Sequence, residues 1–203
     1  YVAFKNTLQV NSSQLLLKEY ENIVIYDSFN TVSFDGIDVD IVPWLCDDNQ
    51  DQIFAQIKSS KSEICFGHFE LDGFEMERGV VCHGGLDKKN LSKYDIVLSG
   101  HFHHKSSDGT ITYVGTPSEM FWSDYNDSRG FHIFDTHTRE LEFIQNPNRM
   151  FYKLNYDDEL EHFAEQYRTF DYSIYEDCYV KVVVKNKLNP FLFDVVKIGR
   201  AHV

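Results

Sequence analysis

Ile96-Val97-Leu98-Ser99-Gly100-His101-Phe102-His103 is an apolar run that stops at a glycine and two histidines. Read as a strand, it carries both imidazoles into one loop at its carboxyl end. Upstream, Ile64-Cys65-Phe66-Gly67-His68 has the same form: a short apolar strand, a glycine, then a histidine. Neutral imidazole is the commonest metal-ligating side chain and suits zinc, iron and copper. His68, His101 and His103 are therefore candidate metal ligands at the ends of two predicted neighbouring strands. The pattern also predicts that His68 and His101, 33 residues apart, converge in space. Glycine beside each histidine leaves room where close approach is needed. The plainer reading is that each histidine closes a turn on a backbone carbonyl. His104 is a supporting partner, a substrate contact, or a surface residue without a role. His83, in Cys82-His83-Gly84-Gly85, reads as a solvated turn, and His132, His137 and His162 carry no spacing signal.

Working outward, Ser12-Ser13 followed by Gln14–Tyr20 reads as a capped short helix, and Ile23–Tyr26 as a strand. Thr31–Phe34 and Ile37–Trp44 flank Asp35-Gly36, the signature of a tight hairpin. A helix is expected from Asp47-Asp48 to about Lys58, with Ile53, Phe54 and Ile57 on one face. Glu63–His68 is a strand, followed by a long glycine-containing loop over Glu70–Gly85. After a helical turn near Asn90–Lys93 and the strand Ile96–Ser99 comes a third strand, Thr112–Val114, closed by the sharp turn Gly115-Thr116-Pro117-Ser118. Phe131–Phe134 and Leu141–Ile144 pair as a hairpin. Beyond Asn146-Pro147-Asn148 a helix from Asp157-Asp158-Glu159 to about Phe170 and a strand over Tyr179–Val184 suggest a second module. Strands alternating with helices, with hairpins late in the core, describe a mixed sheet in an α/β protein.

The length of 203 residues suffices for one sizeable core and part of another. With 17 Phe and 12 Tyr the composition is that of a globular protein. No run reaches the length of a membrane span. The cysteines Cys46, Cys65, Cys82 and Cys178 form no C-x-x-C pair, and Cys65, inside an apolar strand, acts as a small hydrophobe. A reducing cytoplasm is the simplest setting. The formal net charge of −13 argues against a polyanion binder working through a basic surface. It leaves room for an enzyme of phosphodiesters, because bound cations supply positive charge locally. The opening Tyr1–Thr7 reads like mid-domain sequence, and Ile198–Val203 reads like one frame of a sequencing adapter. The expectation is a fragment truncated at the front, with residues 198–203 foreign to the protein.

On Gly67-His68, Gly100-His101-Phe102-His103 and Gly115-Thr116-Pro117, the sequence resembles the calcineurin-like metallophosphoesterases. More narrowly, Val42-Pro43-Trp44, Gly67–Phe74, Tyr113–Pro117 and Arg129-Gly130-Phe131 are similar to SbcD-type nuclease subunits of large tailed phages. The resemblance implies a four-layer α/β/β/α sandwich over residues 1–147, N-terminally truncated, and the start of a small α/β capping module over 148–197. It implies that His68 and His101 ligate one metal and His103 the other, and that the two divalent ions are manganese. It further implies a DNA substrate, a coiled-coil ATPase partner of the structural-maintenance-of-chromosomes type, a homodimer, and the cytoplasm of a host cell. The family's Asp-x-His, Gly-Asp-x-x-Asp and Gly-Asn-His-Asp motifs are absent. They would supply the bridging aspartate, most ligands of the first metal and the catalytic histidine. The chain alone is thus expected to be inactive.

The leading expectation is a subunit of an ATP-dependent DNA exonuclease and endonuclease that hydrolyses phosphodiesters in recombination and double-strand-break repair. Lys105, beside the histidine loop, and His104 are candidate nucleic-acid contacts, although a solvated lysine is the simpler reading of Lys105. A phosphoesterase of small esters with the same fold, or a non-catalytic scaffold, are the alternatives.

Overall fold

Asp35-Gly36 does what the sequence predicts. Both residues take positive φ, 50° and 82°, which matches the twist of a two-residue hairpin turn. The turn joins β1 (Asn30–Phe34) to β2 (Ile37–Ile41), antiparallel with Phe34 opposite Ile37. The structure is a computed structural model and describes residues 16–198. The expected capping serines and Gln14–Leu15 of the expected helix over Gln14–Tyr20, and nearly all of the suspected adapter tail, therefore lie outside the described residues. The chain divides into two units. One takes in residues up to 117 together with 127–146, the other residues 118–126 and those from 147 onward.

The first unit is built on a six-stranded mixed sheet in the order β1-β2-β3-β6-β8-β7. Strands β2, β3 (Ile64–Gly67), β6 (Ile96–Ser99) and β8 (Ile111–Tyr113) run parallel; β1 and β7 (Ser106–Ser107) close the edges antiparallel. Covered at least in part on both faces, the central strands read as continuous apolar runs, Ile64-Cys65-Phe66 and Ile96-Val97-Leu98, as parallel strands do. Helix α1 (Gln50–Ser59) buries Ile53 and Ile57 against this core, with Phe54 partly buried beside them. Asp40, fully buried in β2, is satisfied by the hydroxyls of Thr31 and Tyr94, each at 2.7 Å. Cys65 is fully buried; burial, then the charge of Asp40, pushes its thiol far above the ordinary range.

Three expectations need correction. Ile23–Tyr26 is not a strand: Ile23, Val24 and Tyr26 are exposed and pair with no ladder among the described residues. An apolar β-branched tetrapeptide becomes a strand only where a neighbour accepts its hydrogen bonds. The Glu70–Gly85 segment is no plain loop; it holds the short hairpin β4 (Glu75–Glu77) and β5 (Val80–Val81) and is tied off by a bridge between Leu71 and Leu86. The late helix is shorter than expected, α2 (Phe163–Thr169), followed by a single 3-10 turn at Tyr172–Tyr175.

β9 (Gly130–Phe134) and β10 (Leu141–Gln145) form the expected hairpin, with Leu141 opposite Phe134. In the second unit β11 (Phe151–Asp157) pairs in parallel with β12 (Tyr179–Asn186), and α2 lies in the crossover between them. Helix α3 (Pro190–Ile198) follows. Among the described residues of this unit, Phe151, Tyr156 and Phe163 are the buried aromatic ones.

Candidate metal centre

The pairing of β3 with β6 places Gly67 opposite Ser99, so the two strands end level with each other. One more hydrogen bond, from the Gly100 N–H to the Gly67 carbonyl at 3.0 Å, carries the pairing past the strand ends. His68 and His101 therefore leave the sheet side by side. Their rings meet edge to face with centroids 5.3 Å apart. Two side chains from β6 and β8 fix the backbone beyond His68. Ser99 Oγ accepts the Phe69 N–H at 3.0 Å, while the Tyr113 hydroxyl donates to the Phe69 carbonyl at 2.9 Å and accepts the Leu71 N–H at 3.1 Å.

The glycines have specific reasons. A Cβ at Gly100 would stand 2.7 Å from His68 Nδ1, and one at Gly67 would enter the Phe69 ring. His101 itself has φ 91°, a conformation disfavoured for any residue with a Cβ. Strain of this kind concentrates at functional sites. Burial, then repulsion from His101 and His103, lowers the His68 pKa from 6.5 to about 4. At neutral pH His68 is thus the neutral imidazole that a metal requires.

Two residues outside the Gly-His motifs complete the surroundings. Trp44, just beyond β2, lays its indole 5.7 Å from the His68 ring and 5.2 Å from the His101 ring. Glu70 brings Oε2 to 3.6 Å from His101 Nε2. Its signal was the spacing His68-x-Glu70, which in extended backbone puts both side chains on one face. Trp44, His68, Glu70, Asp47 and Gln50 border a cavity of about 300 Å³.

His104 is engaged on both ring nitrogens: Nδ1 is 2.8 Å from Asp127 Oδ2 and Nε2 is 3.3 Å from Glu75 Oε2. It is a held residue rather than a bare surface one. The Lys105 ammonium lies over the Phe143 ring at 3.4 Å, so packing rather than solvent sets its position. His83 is exposed, as a turn residue should be.

The donor set bears on which group fits. Neutral imidazoles beside a carboxylate suit manganese, iron or zinc. Yet among the described residues no three His, Cys, Asp or Glu side chains are drawn together tightly enough to hold an ion. The residues present fit the imidazole share of a divalent-metal shell and not the whole of it.

No known family profile matches the chain. Exonuclease subunit 1 of Enterobacteria phage T4 is 41% identical over 153 residues, covering 75% of this chain and 45% of that protein. The SbcD subunit of the SbcCD nuclease of Staphylococcus epidermidis is 26% identical over 156 residues, covering 73% of this chain and 38% of that one. The chain spans less than half the length of these curated relatives. Both matches agree with the resemblance drawn from the Gly-His loops. Over about three quarters of its length, this chain is a homologue of phage and bacterial nuclease subunits of the SbcD type.

Proposed function

We propose that the complete protein is the nuclease subunit of a DNA-processing complex and that the fold is a four-layer metallophosphoesterase sandwich. The reading rests on one observation above the others: two imidazoles, that of His68 with a lowered pKa, meeting at the level carboxyl ends of adjacent parallel strands. Its homology to two proteins named as nuclease subunits supports the substrate class. In the reaction, water oxygen bonds to phosphorus, one bridging P–O bond of the phosphodiester breaks, and the departing sugar oxygen takes a proton. Two divalent cations, manganese in this proposal, would supply a nucleophilic oxygen at neutral pH and offset the charge of the phosphate. His68 and His101 would hold one ion and His103 the other. Trp44 packs against the first two rings and limits their motion. Lys105 stands as a phosphate contact, and His104 serves the nucleic-acid face from its place between two carboxylates.

The bacterial relative is named as one part of an SbcCD nuclease, which supports a partner, here a coiled-coil ATPase of the structural-maintenance-of-chromosomes type. A homodimeric nuclease, DNA repair and recombination as the process, and the host cytoplasm as the setting complete the proposal. No described helix is long and apolar enough to cross a membrane.

The test is manganese-dependent degradation of linear duplex DNA by the complete protein with its partner, against His103→Ala. The substitution removes an imidazole from a loop and opens no core cavity, so melting should move only as far as surface changes do. Cleavage should be lost while DNA binding persists. Normal cleavage by the variant rejects His103 as a ligand, and unfolding makes it a structural residue. Hydrolysis of p-nitrophenyl phosphate without DNA cleavage selects the small-ester enzyme, and inactivity on both substrates selects the scaffold.

A further inference from the structure

Arg129 is 5% exposed, in a chain whose other basic side chains lie mostly at the surface. A guanidinium is taken out of water at high cost unless its donors are matched by acceptors. Here they are. Nη1 donates to the backbone carbonyl of His103 and, at 2.9 Å, to Thr116 Oγ1. Nη2 donates to Asp127 Oδ2 at 2.8 Å. The same carboxylate oxygen meets His104 Nδ1 at 2.8 Å.

The planar fork thus grips the histidine loop twice, directly at the His103 carbonyl and indirectly through Asp127 at the next residue. The loop is shaped to receive it. Gly115, at φ +72°, comes so close that a Cβ there would stand 2.9 Å from the His103 carbonyl oxygen. Arg129 is held in turn, because its own carbonyl accepts the Asn146 N–H at 2.8 Å and Gly130 bonds back to Thr116 at 3.3 Å. The hairpin β9–β10 therefore anchors the loop through one side chain.

We propose that Arg129 is the positioning residue of the histidine loop: by clamping the His103 carbonyl, with Asp127 orienting the guanidinium, it sets the direction in which the His103 imidazole leaves the backbone. The proposal rests on the reading of His103 as a metal ligand. Lysine cannot replace the fork, since a single ammonium lacks the planar geometry that reaches the carbonyl and the carboxylate together.

The experiment uses the complete protein and calorimetric titration with manganese, alongside DNA affinity and a melting curve. Arg129→Met keeps the aliphatic bulk and removes the donors. Manganese binding should weaken about 10–100-fold, the range seen when groups that orient a ligand are removed, while DNA affinity stays within about 3-fold. Arg129→Lys should not restore it. Thr116→Val, which spares the carbonyl clamp, should bind manganese as the wild type does. If Arg129→Met fails to fold, Asp127→Asn carries the test and should weaken manganese binding in the same direction. Unchanged binding in a folded Arg129→Met or Asp127→Asn, with binding lost in His103→Ala, overturns the positioning role alone. Unchanged binding in His103→Ala overturns the metal reading itself. In that case hydrogen exchange at the His104 and Lys105 amides decides the clamp: faster exchange in Arg129→Met supports it, and unchanged exchange overturns it.

Discussion

At the scale of single residues, Tyr113 and His68 carry separate burdens. Tyr113 is fully buried and its hydroxyl joins β8 to the backbone just beyond His68. Tyr113→Phe leaves the Phe69 carbonyl and the Leu71 N–H without that partner, which should cost about 2 kcal/mol. Urea unfolding should show the fall in midpoint; a change within experimental error would mean that the two groups find other partners. His68 contributes to the acid behaviour. Its folded pKa of about 4 lies below the ordinary 6.5 of the unfolded chain. Above pH 6.5 both states are neutral and the group contributes nothing to the pH dependence. As pH falls from 6.5 toward 4, the unfolded state takes up a proton that the folded state refuses, so stability declines. In chelator-treated protein the imidazole resonance of His68 should titrate near pH 4, and His68→Gln should remove this part of the acid destabilisation.

At the scale of elements, the two Gly-His junctions look alike in sequence and differ in what a methyl group would meet. At Gly100 it would press on the His68 ring, which stands at the site. At Gly67 it would press on Phe69, which is 1% exposed in the core. Overpacking costs about 1–3 kcal/mol where side chains cannot yield. Gly67→Ala should therefore lower the melting temperature of the first unit clearly. Gly100→Ala should spare most of the stability and instead displace the His68 ring, weakening manganese binding in the complete protein. Equal losses of stability in both variants would mean that His68 is packed as rigidly as Phe69. The glycines thus belong to one motif by pattern and to two kinds of constraint by packing.

At the scale of the whole molecule, the segment 118–126 leaves the first unit between β8 and β9 and belongs to the second. Glu119 explains why. It is 2% exposed, and its Oε2 accepts the N–H groups of Met150 and Phe151 at 2.8 and 2.9 Å, at the start of β11. Trp122, from the same segment, packs on Phe151 with ring centroids 4.8 Å apart. Glu119→Ala removes a carboxylate from one buried and one part-buried donor and should destabilise the second unit by about 2–4 kcal/mol. Hydrogen exchange should rise in β11 and β12 while β3 and β6 keep their protection. A uniform rise across both units would show that they unfold as one.

The local elements were legible because their causes are local. Asp35-Gly36 could adopt positive φ, apolar runs of four residues had the length of buried strands, and Ile53 and Ile57 marked one helix face. The convergence of His68 with His101 was legible too, since two strands of one form in sequence tend to lie side by side. Ile23–Tyr26 was misread because strand formation depends on a partner that a tetrapeptide does not specify. The hairpin inside Glu70–Gly85 was missed because Glu75–Glu77 and Val80–Val81 are too short to show a period. Trp44 and Arg129 were marked only as parts of the stretches that carry the resemblance, and nothing local marked Glu119 or Asp127; the partners of all four lie up to 57 residues away and are reached only across the folded sheet and loops. By itself the sequence determined where the strands that carry His68 and His101 end and that the two histidines stand at those ends. Tertiary structure alone decided what holds those residues in place, because a buried guanidinium or carboxylate finds its acceptors and donors by packing and not by spacing.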